Sequence, residues 1–180
     1  QSRNAQVQSR RATESPLGRF ARQVVESLIK GEKLEEASDL NEYLREQAGA
    51  FVSIKKHGQL RGCIGTTEPT QPDILQEVKQ NAISAATRDP RFEPIRVDEL
   101  DDLVYSVDLL KPAEPISGLD ELDPERYGVI VKKGYRTGLL LPNLEGIETA
   151  AEQVAIARKK AGIGPNEPVK LERFEVVRYY

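Results

Sequence analysis

The sequence predicts an α+β fold, a mainly antiparallel sheet with flanking helices. Two observations carry this. Apolar residues at every second position fall in paired stretches joined by glycine-containing turns, the pattern of hairpins. Stretches with helical spacing stand between the pairs instead of alternating strictly with single strands. At 180 residues, with 38% hydrophobic and 31% charged residues, the chain is long enough for one well-cored domain, or a main domain with a small appendage.

Residues 1–14 hold almost no large apolar side chains and are expected to be a disordered tail or an expression remnant, which leaves 15–180 as the domain. The chain begins at Gln1 and has no methionine, so the natural start is expected to be absent or processed, and a domain taken from a longer protein is one explanation. Ser15-Pro16 supplies an N-cap and a first-turn proline. Leu17, Phe20, Ala21, Val24, Val25, Leu28 and Ile29 then recur at helical spacing, and Gly31 stops the helix. A short second helix is expected over 39–47 from Leu40, Tyr43 and Leu44.

A hairpin follows, with strands 51–54 and 60–66 and His57-Gly58 as a two-residue turn. That turn sets Lys56 opposite Gln59, Ile54 opposite Arg61 and Val52 opposite Cys63. A third helix is expected over 72–88, closed by the turn Asp89-Pro90-Arg91-Phe92, with Phe92 filling the core. Leu103–Leu110 reads as a strand and 111–126 as a long loop. A second hairpin spans 127–131 and 137–141, a helix runs over 148–161 to Gly162, and Val169–Tyr179 makes one last strand.

The net charge of −3 argues against a dedicated nucleic-acid binder. No apolar run approaches the roughly 18–20 residues of a membrane span, and no secretory segment is seen, so a cytoplasmic location is expected. A single cysteine excludes an internal disulfide framework. One cysteine and one histidine cannot build a structural zinc site, and an extradiol-type iron site needs two histidines and a carboxylate. Neither a metal nor another cofactor is therefore expected.

Chemistry is nearest at Leu60-Arg61-Gly62-Cys63-Ile64-Gly65-Thr66. On a strand Arg61 and Cys63 share one face, while Leu60, Gly62 and Ile64 share the other. Arg61 beside Cys63 would favour the thiolate, so both are candidate catalytic residues. The only histidine lies at the hairpin tip, roughly 20 Å away at about 3.3 Å per residue, so a cysteine–histidine dyad is not expected. A buried hydrophobic role for Cys63 is the plain alternative. Bare backbone at Gly62 and Gly65 suits a ligand, a close helix or a bulge. Candidate ligand-binding residues are Arg61, Gly62, Cys63, Gly65, Thr66 and Arg91, the last either pairing with Asp89 or serving as a second anion anchor. As a surface side chain, Arg61 is expected to matter little for stability. The basic runs Lys55-Lys56, Lys132-Lys133 and Arg158-Lys159-Lys160 read as solvated turns and a helix C-terminal end.

The run Leu60–Thr66 resembles the signature of the AMMECR-one family, whose bacterial members are called AmmeMemoRadiSam system protein A. Residues 85–94, 105–110, 115–116, 127–131, 134–142 and 160–162 continue the likeness in order, and it covers about 16–180. The resemblance implies an α+β fold with a larger and a smaller subdomain and a groove beside the signature. It also implies partnership with Memo-like and radical-SAM proteins, and occasional fusion behind a Memo-like region related to class III extradiol dioxygenases. It implies no established reaction. The chain departs from the family in having no tryptophan, and Asn143–Ile147 stands where an aromatic-rich stretch is frequent. The leading expectation is a noncatalytic module binding a small molecule or a partner. A thiol-dependent enzyme using Cys63 and an accessory domain of a dioxygenase-like protein are the alternatives.

Overall fold

A computed structural model describes residues 3–36 and 38–180 of the chain. They form two units: unit 1 comprises residues up to Leu110 together with Val177–Tyr180, and unit 2 comprises Lys111–Val176. Both are α+β with antiparallel sheets.

Unit 1 opens with helix α1 (Arg3–Ala12), where a disordered tail is expected from the sequence. Val7 is buried, and Arg11 donates to the carbonyls of Leu100 (2.7 Å) and Leu103 (3.2 Å). The long arginine side chain supplies the anchorage that apolar residues would otherwise give. Helix α2 (Pro16–Lys30) forms where the periodicity places it. Ser15 Oγ accepts the Gly18 N–H at 3.0 Å, and Gly31 ends the helix at φ 69°. The second expected helix is a 3₁₀ segment, Ser38–Leu44, whose one buried side chain is Leu40.

Strands β1 (Gly49–Lys56) and β2 (Gln59–Gly65) form the expected hairpin, with φ 52° at His57 and 78° at Gly58, as a type I′ turn requires. Helix α3 (Ile74–Thr87) starts at Asp73, whose carboxylate accepts the Gln76 N–H. Strand β3 (Leu103–Leu110) pairs with β1, and the sheet order is β2-β1-β3-β8, where β8 is Val176–Tyr179. Ala50, Val52 and Ile54 stand opposite Leu109, Val107 and Tyr105, and α2 and α3 cover that face. At the Asp89–Phe92 turn it is Ile95, not Phe92, that enters the core; Phe92 is half-buried under the Arg91 guanidinium.

The hairpin register departs from the expected one. Lys56 does face Gln59, but a β-bulge follows, so Ile54 faces Gly62, Ser53 faces Cys63 and Val52 faces Ile64. Unbroken pairing would aim Arg61 at the face of fully buried Ile54. The bulge puts Gly62 there instead, against the Ala85 carbonyl of α3, where a Cβ has no room.

Unit 2 holds β4 (Glu114–Ile116), β5 (Gly128–Lys133), β6 (Arg136–Leu140) and β7 (Lys170–Phe174), in the order β4-β7-β5-β6. Helix α4 (Ala150–Ala161) packs on β5 and β6 around Val129, Val131, Leu140, Val154 and Ala157. Two expectations fail here. The 111–126 loop contains β4, held by pairing with Arg173, Glu172 and Leu171. The single last strand is two, β7 and β8, which separate at Glu175 and belong to different sheets.

Candidate functional site

The signature run lies on β2, the edge strand of its sheet, so Cys63 has main-chain groups that no neighbouring strand satisfies. The Asp89–Arg91 turn supplies the partners. Asp89 Oδ2 accepts the Cys63 N–H at 3.0 Å, and Arg91 Nη2 donates to the Cys63 carbonyl at 3.1 Å. Arg91 also binds Asp89 through Nε (3.0 Å) and Nη2 (2.8 Å). These bonds from Arg91, with the Cys63 N–H, outweigh burial and hold the Asp89 carboxyl at about 2, from an ordinary 3.8. Arg91 thus pairs with Asp89 and also reaches the cysteine, so both of its expected roles are geometrically open.

Arg61 is committed elsewhere. Its Nε and Nη2 each donate to Glu99 at 3.0 Å, a two-point pair that Lys56 (3.1 Å) and the Arg96 N–H (2.9 Å) complete. Burial alone would raise the Glu99 carboxyl, but the bonds from Arg61, Arg96 and Lys56 prevail and set it at about 2. The Arg61 side chain is only 14% exposed, so it is not the surface group expected from the sequence.

Gly65 lies directly under the Phe51 ring. Thr66 ends the strand in a buried polar cluster on α3. Its hydroxyl donates to Glu77 at 3.1 Å and accepts from the Asn81 amide at 3.2 Å, while Glu77 also takes the N–H groups of Thr70 and Gln71. Of the candidate residues Gly62 is buried, Arg61, Cys63, Gly65 and Thr66 are half-buried, and Arg91 is the most open, its side chain 50% exposed beside Cys63. His57 stays at the hairpin tip, 3.5 Å from Asp102. Among the described residues no three His, Cys, Asp or Glu side chains stand together as a metal site, and no helix is long and apolar enough to cross a membrane.

Sequence reasoning missed Glu77, Asn81 and Glu99, and named Asp89 only as a partner of Arg91, not of the Cys63 N–H. The first two had a signal: they occupy positions i and i+4 on the otherwise apolar stripe of α3, so they had to be buried with partners. Glu99 has one local partner, the Arg96 N–H, but its charged partners Lys56 and Arg61 come from a hairpin 43 and 38 residues away, so the ion pairs left no local signal.

The signature run is thus an edge strand held by the carboxylates of Asp89 and Glu99, within a two-unit α+β chain. The chain belongs to the AMMECR1 family, whose model matches residues 18–179. A Thermotoga maritima protein is 49% identical over 170 residues, covering 92% of this chain and 98% of the relative. A Clostridium acetobutylicum protein is 44% identical over 98% of this chain, which spans only 38% of that protein's length. The crystal structure of an uncharacterised Pyrococcus horikoshii protein superposes with a TM-score of 0.81 at 34% identity, covering 90% of this chain and 88% of that one.

Proposed function

We propose that this chain is a noncatalytic binding module of a larger system that modifies a small molecule or a protein, and that it meets its ligand or partner at the β2 edge through Cys63 and Arg91. One observation carries the reading. Both arginines are held in two-point pairs, Arg61 by Glu99 and Arg91 by Asp89, but the Arg91 side chain is 50% exposed against 14% for Arg61, and it stands beside a half-buried thiol. A rigid edge that offers one cation and one thiol suits recognition, and turnover at Cys63 would further need a base that His57, set against Asp102, is not placed to be. By family resemblance the partners are Memo-like and radical-SAM proteins in the cytoplasm. The second reading, an accessory domain of a dioxygenase-like protein, is favoured by the longer Clostridium relative, in which most of the length lies outside the matched part.

Because Cys63 is the only thiol, alkylating it marks this edge alone. The test titrates the intact chain, before and after alkylation, with a purified Memo-like protein from the same organism. Binding that alkylation weakens at least tenfold, in a chain that stays folded, is expected. Equal binding after alkylation, or product formation that depends on Cys63 in the isolated chain, would defeat the reading.

A further inference from the structure

Unit 2 contains a concavity that owes nothing to the signature run. It measures about 570 Å³ and is lined by one face of α4 together with the turns around Leu119 and Pro165. This lies inside the roughly 300–1,000 Å³ range of small-molecule pockets. Its floor is apolar, with Val154 and Ile163 buried and Leu171 half-buried, and Leu119 stands at the rim 44% exposed. Leu119 thereby extends the apolar floor to the rim, giving a concave and mostly apolar wall of the kind that small-molecule sites use.

The charge of the lining selects what covers it. Arg158 and Lys159 are its two charged members, and no carboxylate lines the space. Arg158 is held in place by bonds from Nη1 to the carbonyls of Gly164 and Glu167, both at 2.8 Å. Lys159 is exposed and has no hydrogen bond or ion pair among the described residues. Cations favour the C-terminal turn of any helix, which accounts for the run but not for an apolar cup beside it. A protein partner would need an interface of about 1,000 Å² or more, whereas this cup is the width of one helix face.

We propose that this cup binds an apolar monocarboxylate, with the chain or ring on Val154, Ile163 and Leu171 and the carboxylate toward Lys159 and the fixed Arg158. The site lies wholly within unit 2 and is independent of the β2-edge reading.

The test is a methyl NMR titration of the whole chain with decanoate, kept below its micelle range, and with decanol and inorganic phosphate as separate probes. Saturable shifts confined to Leu119, Val154, Ile163 and Leu171 are expected. Decanol, or decanoate with Lys159→Gln, should bind about fivefold more weakly, the scale of one exposed ion pair. Ala155→Trp, which fills the cup from an exposed helix position, should weaken decanoate more than tenfold while thermal unfolding stays within a few degrees. Lack of saturation, shifts centred elsewhere, decanol binding as tightly as decanoate, phosphate binding as tightly as decanoate, or unaltered binding by a folded Ala155→Trp would each overturn the assignment.

Discussion

Glu99→Gln separates a scaffold role for Arg61 from a ligand-anchoring one. The Glu99 carboxylate accepts four hydrogen bonds, from Lys56, from Arg61 Nε and Nη2, and from the Arg96 N–H, at 2.9–3.1 Å. Both partners of the central pair are nearly out of water, with side-chain exposures of 14% for Arg61 and 9% for Glu99. Lowering the carboxyl from 4.5 to about 2 corresponds to about 3 kcal/mol, at about 1.4 kcal/mol per pH unit. The same size follows from breaking one side of a buried pair, about 3–5 kcal/mol. Because the folded value lies below the unfolded one, this stability is fully present above pH 4.5 and is lost as pH falls toward 2. Glu99→Gln is therefore expected to cost about 3 kcal/mol at neutral pH, or about 6–12 °C in Tm for a chain of this size. Its stability should also fall less steeply than that of the parent as the solution is acidified through that window. Arg61→Ala should cost less, about 2 kcal/mol, because Lys56 and the Arg96 N–H still neutralise Glu99. Urea unfolding at pH 7 and at pH 3.5 reads both quantities. A loss under about 0.5 kcal/mol for Arg61→Ala, or equal acid sensitivity of Glu99→Gln and the parent, would refute the scaffold role.

Gly62→Ala should lose about 1–3 kcal/mol, since the new methyl lies 3.2 Å from the Ala85 carbonyl carbon and closer still to its oxygen. Gly62→Val should lose more, and thermal unfolding that matches the parent would show α3 free to retreat. Asp89→Asn is expected to cost about 2 kcal/mol at pH 7 and to reduce the stability lost below pH 3.8, the same sign as for Glu99, by urea melts across that range. Half-buried Cys63 should react with a thiol reagent in the folded protein, more slowly than in denaturant; labelling only at the unfolding rate would make it a core residue. The chain should bind ferrous iron only weakly and cleave no catechol, since its single histidine cannot complete a two-histidine, one-carboxylate triad. Anaerobic iron loading followed by metal analysis and a ring-cleavage assay checks this.

Local pattern alone was enough for α2, α3, α4 and β3, and for both hairpins. In each the apolar period, the capping residue or the turn glycine is written within a dozen residues. The signature run was legible as a strand, and Gly62 and Ile64 as its inward face, but Leu60, expected on that same face, is 40% exposed because the bulge at Arg61 breaks the alternation. What local pattern left open was decided by residues distant in sequence. The bulge at Arg61 exists because α3 claims the space over Gly62, and α1 is ordered because Arg11 meets carbonyls 89 and 92 residues away. The split between β7 and β8 follows from competing sheets, since an extended stretch looks the same whichever sheet receives it. The role of Arg61 turned on the same kind of fact. A guanidinium two residues before a thiol reads as an activator, but charge acts through space on the nearest opposite charge, and only the tertiary fold brings Glu99 to it.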